Sequence, residues 1–324
     1  GKVDMRADTT RKIAYSAYTK TPFFIVMMFS GFWALQIFVT KLGFNAGAQV
    51  LSFQTISILA ALLVLVFLTI PKYGSDFKNL FVQKPILFWK LFFANGVQSG
   101  LGTWLSIIGI SLTAAINAGF LVKLATVTTI LFAALILNER LTVLKIVTVI
   151  TMLSGAYLLT TKGQVLLPRI GDLFILSACV CWSLGNVLVR KFLKTETVQL
   201  EIVTLQKPIA GLPVVLMLLV IAAWHPEILQ ALQQSGSCCS PTLASLPFAL
   251  LNGVCLALTW TYLNRTLKVS SASYMTMMSM ITPVFVSILA IIFLGESLVL
   301  IQVAGVALIL MSGVVVYFSS IARE

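Results

Sequence analysis

The chain has 324 residues, of which 59% are hydrophobic and only 10% charged, with a mean hydropathy of +1.02. A soluble domain carries about 25% charged residues, so a water-soluble fold of this length could not hide so much apolar surface. The net charge of +12 is dispersed over short segments between apolar runs, with no soluble domain to present it, which argues against nucleic acid as a partner.

A bilayer crossing needs about 20 apolar residues. Ten such runs occur, at 22–44, 49–70, 86–109, 112–137, 141–161, 170–193, 199–223, 245–264, 270–294 and 298–319, and they are spans 1 to 10. The expected fold is an all-α integral membrane protein with ten transmembrane helices. Pro22, Pro71, Pro85 and Pro168 fall at or beside predicted ends, where a missing N–H costs little. Pro208, Pro213 and Pro283 fall inside spans, where a proline marks either a bend beside a cavity or a simple packing kink. The charged segment 1–21 leads into a 23-residue apolar stretch, longer than the core of a signal peptide, so it is expected to remain as span 1.

Basic residues gather on one side. With the amino terminus inside, sixteen of the 22 Lys and Arg residues fall in inner segments, Lys90 and Lys207 lie near inner helix ends, and Lys41, Lys162 and Arg169 are outer. The positive-inside rule then places both termini in the cytoplasm and the chain in the cell (inner) membrane as a multi-pass protein.

Catalysis has few candidates. No HExxH, no pair of intramembrane aspartates and no Walker motif is present, so an intramembrane hydrolase and direct ATP drive are both disfavoured. His225 lies in the longest outer loop, roughly 224–244, together with Cys238 and Cys239, which are read as free thiols. Cys179, Cys181 and Cys255 lie within spans, where a small buried hydrophobe is the default. No metal or cofactor is expected.

The spans repeat. Phe32-Trp33-Ala34-Leu35 leads to Lys41, and Asn138-Glu139 leads to Ser154-Gly155. In the second half Cys181-Trp182-Ser183-Leu184 leads to Arg190, and Gly295-Glu296 leads to Ser312-Gly313. Trp33 and Trp182 are 149 residues apart, Glu139 and Glu296 are 157 apart, and Gly155 and Gly313 are 158 apart. A repeat with an odd number of crossings re-enters the bilayer upside down, the plan of secondary transporters. The expected organisation is a cytoplasmic segment 1–21, a first repeat 22–162 (spans 1 to 5), a linker 163–169, a second repeat 170–319 (spans 6 to 10) and a cytoplasmic tail 320–324.

These residues resemble the EamA-type transporters of the drug/metabolite transporter superfamily. The motifs that carry the likeness run from Trp33 to Lys41, from Thr113-Ala114-Ala115 through Asn138-Glu139-Arg140-Leu141, from Trp182 to Lys191, and from Ser270-Ser271-Ala272 through Thr282-Pro283-Val284 to Gly295-Glu296-Ser297-Leu298. Gln302, Gly305 and Gly313 continue the second copy. The family's fourth helix usually carries a proline where the second copy has Pro283, whereas the first copy has Thr126, so the two halves are expected to bend unequally. The resemblance implies a central cavity lined mainly by spans 1, 3, 4, 6, 8 and 9 that opens alternately to either side. The expected function is a secondary transporter, and an exporter, of a small organic metabolite, working as a monomer or homodimer. A non-transporting receptor or scaffold, and a nucleotide-sugar or organic-phosphate exchanger, remain as alternatives.

Lys123 is the most informative single residue. Eleven residues into span 4, it sits roughly 16 Å deep at about 1.5 Å per residue, where an ionisable group costs at least ~2.5–3.5 kcal/mol. It should therefore face a cavity or a partner, either binding a solute anion or changing protonation in a proton-coupled cycle, or else serving as a structural hydrogen-bond donor. No Asp or Glu lies in the central part of any span. The expected substrate-binding set is Lys123 and Gly119 with Trp33, Gln36, Asn95, Gln98, Trp182, Asn186, Asn252, Trp260, Tyr274 and Met277. Glu139, Glu296 and Pro283 are expected to act as gates or structural staples. One lysine suits a monoanionic or zwitterionic solute, such as an amino acid, better than a phosphate ester. The glycines Gly96, Gly100 and Gly102 of span 3 read as a close-packing surface.

Overall fold

The structure, a computed structural model, describes the backbone of residues 2–225, 227 and 243–319 and most side chains from Pro22 onward. Cys238, Cys239 and the tail 320–324 lie outside the described residues. Span 1 lies in the helix Lys2–Asn45 and span 2 is Val50–Gln83. Span 3 covers 85–112 as Pro85–Asn95, a π-helical turn Gly96–Leu101 and Gly102–Leu112. Span 4 is Ala115–Leu121, a 3₁₀ turn Val122–Leu124 and Ala125–Leu137, and span 5 is Val143–Thr161. In the second half span 6 is Ile170–Thr195, span 7 Leu200–Trp224 and span 8 Leu246–Val269. Span 9 is Ala272–Met278, a 3₁₀ turn Ser279–Ile281 and Thr282–Leu294, and span 10 is Leu300–Phe318.

Nine described helices are long and apolar enough to cross a membrane, and span 3, divided by its π turn, supplies the tenth crossing. The surface pattern is that of a protein solvated by lipid: Leu63, Phe67 and Leu135 are at least 70% exposed, while Asn95, Gln206, Asn252 and Asn264 are at most 1% exposed. Two expected boundaries move. The helices run through Pro22 and Pro71, because beyond the hydrocarbon core water can satisfy the carbonyl that a proline frees.

The two repeats are threaded in opposite senses. Gln302, near the start of span 10, donates to the carbonyl of Leu159, near the end of span 5, and Gly155 and Gly305 meet where the two helices cross. Likewise the end of span 4, at Glu139, meets the start of span 9, at Ala272 and Ser273. Equivalent helices that run antiparallel are what a two-fold axis in the membrane plane produces. The packing obeys the same symmetry: span 1 lies on span 8 as span 6 lies on span 3, and spans 2 and 7 pair across the axis.

Spans 4 and 9 break alike. The turns Val122–Leu124 and Ser279–Ile281 are 157 residues apart, the same interval as Glu139 and Glu296. Both spans end on a left-handed residue, Asn138 (φ 55°) and Gly295 (φ 64°), which closes a helix without strain for Gly and at little cost for Asn. This corrects the expectation of unequal bending. Pro283 occupies the second position of Thr282–Leu294, where an N–H has little helical use, so the proline fits a break that the first half makes with Thr126.

Candidate functional site

A cavity of about 320 Å³ lies between the halves, lined by spans 1, 2, 3, 4, 6, 8 and 9. Of the expected binding residues, Trp33, Gln36, Gln98, Trp182, Asn186 and Trp260 line it. Phe53 and Gln54 add span 2, beyond the expected lining, and hydroxyl residues including Thr40, Thr103, Thr129, Thr259, Thr276 and Ser279 extend the polar wall. The described lining residues include no charged side chain. Small residues allow this wall to form: a Cβ on Gly102 would fall 2.6 Å from the Trp182 ring, and one on Gly185 would fall 2.4 Å from Gln98 Cβ.

The other expected residues stand outside the lining. Asn95 Nδ2 donates to the Val203 carbonyl at 3.3 Å and to Gln206 Oε1 at 3.4 Å, tying span 3 to span 7. Its repeat counterpart Asn252 donates to Ser57 Oγ at 2.9 Å and accepts from Thr40 at 3.1 Å, tying span 8 to spans 2 and 1. These amides face neighbouring helices, where a buried polar group must find a partner. Gly119 packs on span 5, where a Cβ would meet Thr160 at 2.8 Å. Tyr274 and Met277 are buried in the apolar core. The cavity face of span 9 is Met275, Thr276 and Ser279, and that of span 4 is Val122, Ala125 and Thr129.

Lys123 is in the 3₁₀ turn of span 4, and Val122 and Ala125, not Lys123 itself, line the cavity. Its Nζ lies 4.9 Å from the centroid of the Trp33 ring, and Trp33 in turn lines the cavity. Among the described residues it makes no hydrogen bond, so a cation–π contact replaces the structural hydrogen bonds that were one expected role.

Lys207 corrects a second expectation. Rather than lying near an inner helix end, it is fully buried in span 7, and its Nζ donates to Gln98 Oε1 at 2.6 Å. Seven residues beyond Leu200, it is about 10 Å into the helix, so its depth was readable from the sequence.

The two faces of the bundle differ. On one, Glu139 is 7% exposed and accepts from the backbone N–H groups of Ala272 and Ser273, at 2.8 and 3.1 Å, and from the Ser273 hydroxyl at 2.5 Å. Arg190 donates to the carbonyls of Leu267 and Lys268 at 2.7 and 2.9 Å. Both thus hold the turn between spans 8 and 9, whose Ser270 and Ser271 are fully buried. On the other face the counterparts of these two residues, Glu296 and Lys41, form a half-exposed ion pair at 2.5 Å. The turn between spans 3 and 4 is there only half-buried at Thr113 and Ala114. Thr113 and Asn117 instead donate to Asp172 at the start of span 6. The cavity lining reaches Phe44, Phe53 and Ile110 on this second face.

A profile of the EamA-like transporter family matches residues 21–161 and, separately, 169–318. The chain belongs to that family. The two EamA-like matches fall on the two inverted halves, so the chain is a multi-pass membrane protein of a transporter family, with a small-molecule substrate and a lipid bilayer as its surroundings. The uncharacterized transporter YyaM of Bacillus subtilis (strain 168) is 28% identical over 95 residues, which cover 28% of this chain and 31% of that protein. The aligned stretch thus spans under a third of that relative's length. A solved crystal structure, described only as that of a protein, superposes with a TM-score of 0.66 over 95% of this EamA-like chain and 98% of its own, at 16% identity. That likeness is one of fold.

Proposed function

We propose that this EamA-like protein is a secondary carrier that moves a small monoanionic or zwitterionic metabolite, such as an amino acid, by alternating access. The observation that carries this reading is the unequal state of two symmetry-related latches. Glu139 and Arg190 bind one turn, while their counterparts Glu296 and Lys41 pair with each other. Exchanging the two arrangements would close the open face and open the closed one around the same cavity, as an inverted repeat permits. Solute gradients would set the direction of net movement. With both termini cytoplasmic by the positive-inside rule, the open face is the outer one.

The cavity supports the solute class. Its volume of about 320 Å³ suits a small metabolite, its wall is aromatic and hydroxyl-rich, and its described lining residues include no carboxylate. Two cations stand just behind the wall: Lys207, bonded to Gln98, and Lys123, against the Trp33 ring. A phosphate ester would ask for several cations in direct contact, and no described lining residue is cationic.

The test is flux of radiolabelled amino acids in proteoliposomes containing the full chain, without ATP. A Glu139→Cys/Ser273→Cys pair, in a background without the native cysteines, should stop flux when oxidised and restore it when reduced. Uptake that continues at the same rate with the disulfide formed contradicts alternating access. Solute binding without any flux in the reduced protein supports a receptor instead.

A further inference from the structure

We propose that Lys207 sets the polarity of the cavity wall. By holding the carbonyl oxygen of Gln98, it turns the Gln98 amide N–H groups toward the solute, so this part of the wall selects a hydrogen-bond acceptor such as a carboxylate. The inference rests on the carrier reading above and names the residue pair that recognises the acidic end of the solute.

A glutamine amide has two unlike branches, one accepting and one donating, while a lysine ammonium has donors only. When Lys207 Nζ lies 2.6 Å from Oε1, the oxygen branch is committed to the lysine and the nitrogen branch must point elsewhere. Gln98 lines the cavity. Among the described residues no acceptor takes its Nε2, and that atom is not one of the sealed, unpartnered polar atoms. Two donors are therefore presented to the solute space.

Both residues are held in place. Ser99 Oγ donates to the Lys207 backbone carbonyl at 2.7 Å, fastening span 7 to span 3 beside the contact. On the other side Gly185 admits Gln98 against span 6. Gln98 belongs to the π-helical turn Gly96–Leu101, a local widening of the helix that recurs at functional sites. Lys207 forms no ion pair with any described carboxylate, so its function is not that of a salt-bridge staple. An uncompensated buried cation is costly, and its retention behind one amide is explained if it fixes the polarity of that amide and adds a positive field to it.

The test compares leucine with 3-methylbutylamine, the same carbon frame without the carboxylate. Binding to the purified full chain in nanodiscs is read by the fluorescence of the cavity tryptophans Trp33, Trp182 and Trp260. The natural protein should prefer leucine. Lys207→Met, which lets the amide rotate, should reduce that preference roughly tenfold, and Lys207→Arg should keep it. Gln98→Glu offers the lysine an even better partner, so it should fold normally while losing the preference for leucine, because only acceptors then face the solute. If Lys207→Met keeps the natural preference, or Lys207→Arg loses as much as Lys207→Met, the orienting role is wrong and the carrier reading stands. If the natural protein binds no leucine, or binds the amine as well as leucine, both this inference and the acidic-solute reading fall.

Discussion

Lys41 and Glu296 hold each other at 2.5 Å on the face where the cavity opens, with side chains 45% and 50% exposed. An ion pair so exposed contributes only ~0–1 kcal/mol. The counterpart residue Glu139, by contrast, is buried and accepts from two backbone N–H groups and a hydroxyl. The Glu139 contact is therefore firm and its counterpart loose.

Glu139→Ala should loosen the secured face. It leaves the N–H groups of Ala272 and Ser273 without their acceptor, and a buried unsatisfied donor costs ~1–3 kcal/mol. Since 1.4 kcal/mol is a factor of ten, hydrogen exchange in residues 267–275 should accelerate about tenfold or more, while residues 110–117 on the opposite face change little. Equal exchange in the variant and the natural chain would remove Glu139 from the latch.

Lys123→Met should separate stability from recognition. The lysine carries the ~2.5–3.5 kcal/mol cost of an intramembrane charge, and its contact with the Trp33 ring returns ~0.5–2 kcal/mol. The methionine variant should melt at an equal or higher temperature in detergent, yet bind an anionic solute several-fold more weakly through the lost field behind Trp33. A clear drop in melting temperature would assign Lys123 to the framework.

Gly185→Ala should injure both. The new Cβ would fall 2.4 Å from Gln98 Cβ and 2.7 Å from the Ala94 carbonyl oxygen, and backbone there cannot yield without parting spans 3 and 6. Overpacking of this kind costs ~1–3 kcal/mol. The melting temperature should fall and solute affinity should fall with it, because Gln98 is the residue displaced. A variant as stable as the natural chain would show that spans 3 and 6 pack less tightly than these distances require.

Much of this architecture is legible in the chain. Apolar runs disclose the spans because lipid tolerates little else, and the 157-residue interval from Glu139 to Glu296 discloses the repeat. The cavity wall is legible at Trp33, Gln36, Gln98 and Trp182 but not at Asn95 or Asn252. A polar side chain on a membrane helix must avoid lipid, yet its spacing does not say whether it turns to a cavity or to a neighbouring helix. The turn at Val122–Leu124 leaves no mark because its counterpart's proline is absent, and the cavity face of span 4 is Val122 and Ala125 rather than the expected Gly119. Glu139 reads as a gate or staple, but its partners at Ala272 and Ser273 are not legible, because the repeat gives Glu296 an equivalent place and the structure gives it Lys41 instead.

The break in span 9 should survive without its proline. Thr282 and Ser279 bond back onto the carbonyls of Ser279 and Thr276 at 2.7 and 2.8 Å, so the turn has its own hydroxyl caps. Pro283→Ala should leave hydrogen exchange across 275–285 near its natural pattern. The reciprocal Thr126→Pro, at the second residue of Ala125–Leu137, should cost well under the ~3 kcal/mol of a proline in a helix interior. Large losses in melting temperature from Thr126→Pro would mean that the two breaks differ in kind.

By the 157-residue correspondence, the N–H groups equivalent to those Glu139 binds, at Ala272 and Ser273, belong to Ala115 and Ile116. The state closed on the face of Lys41 and Glu296 should therefore have Glu296 released from Lys41 and seated on the start of span 4. Lys41→Ala removes the competitor for that carboxylate, so it should favour closure by up to about fivefold for an ion pair of ~1 kcal/mol. Glu296→Ala removes the closing group itself, so it should favour the open arrangement. Spin labels at Phe44 and Ile110, both on the cavity rim, would report the two populations as short and long distances. Opposite shifts from the two variants are the signature of a carboxylate shared between two partners. Shifts in the same direction would mean that the Lys41–Glu296 pair stabilises the open state only as a bridge, and that closure uses some other group.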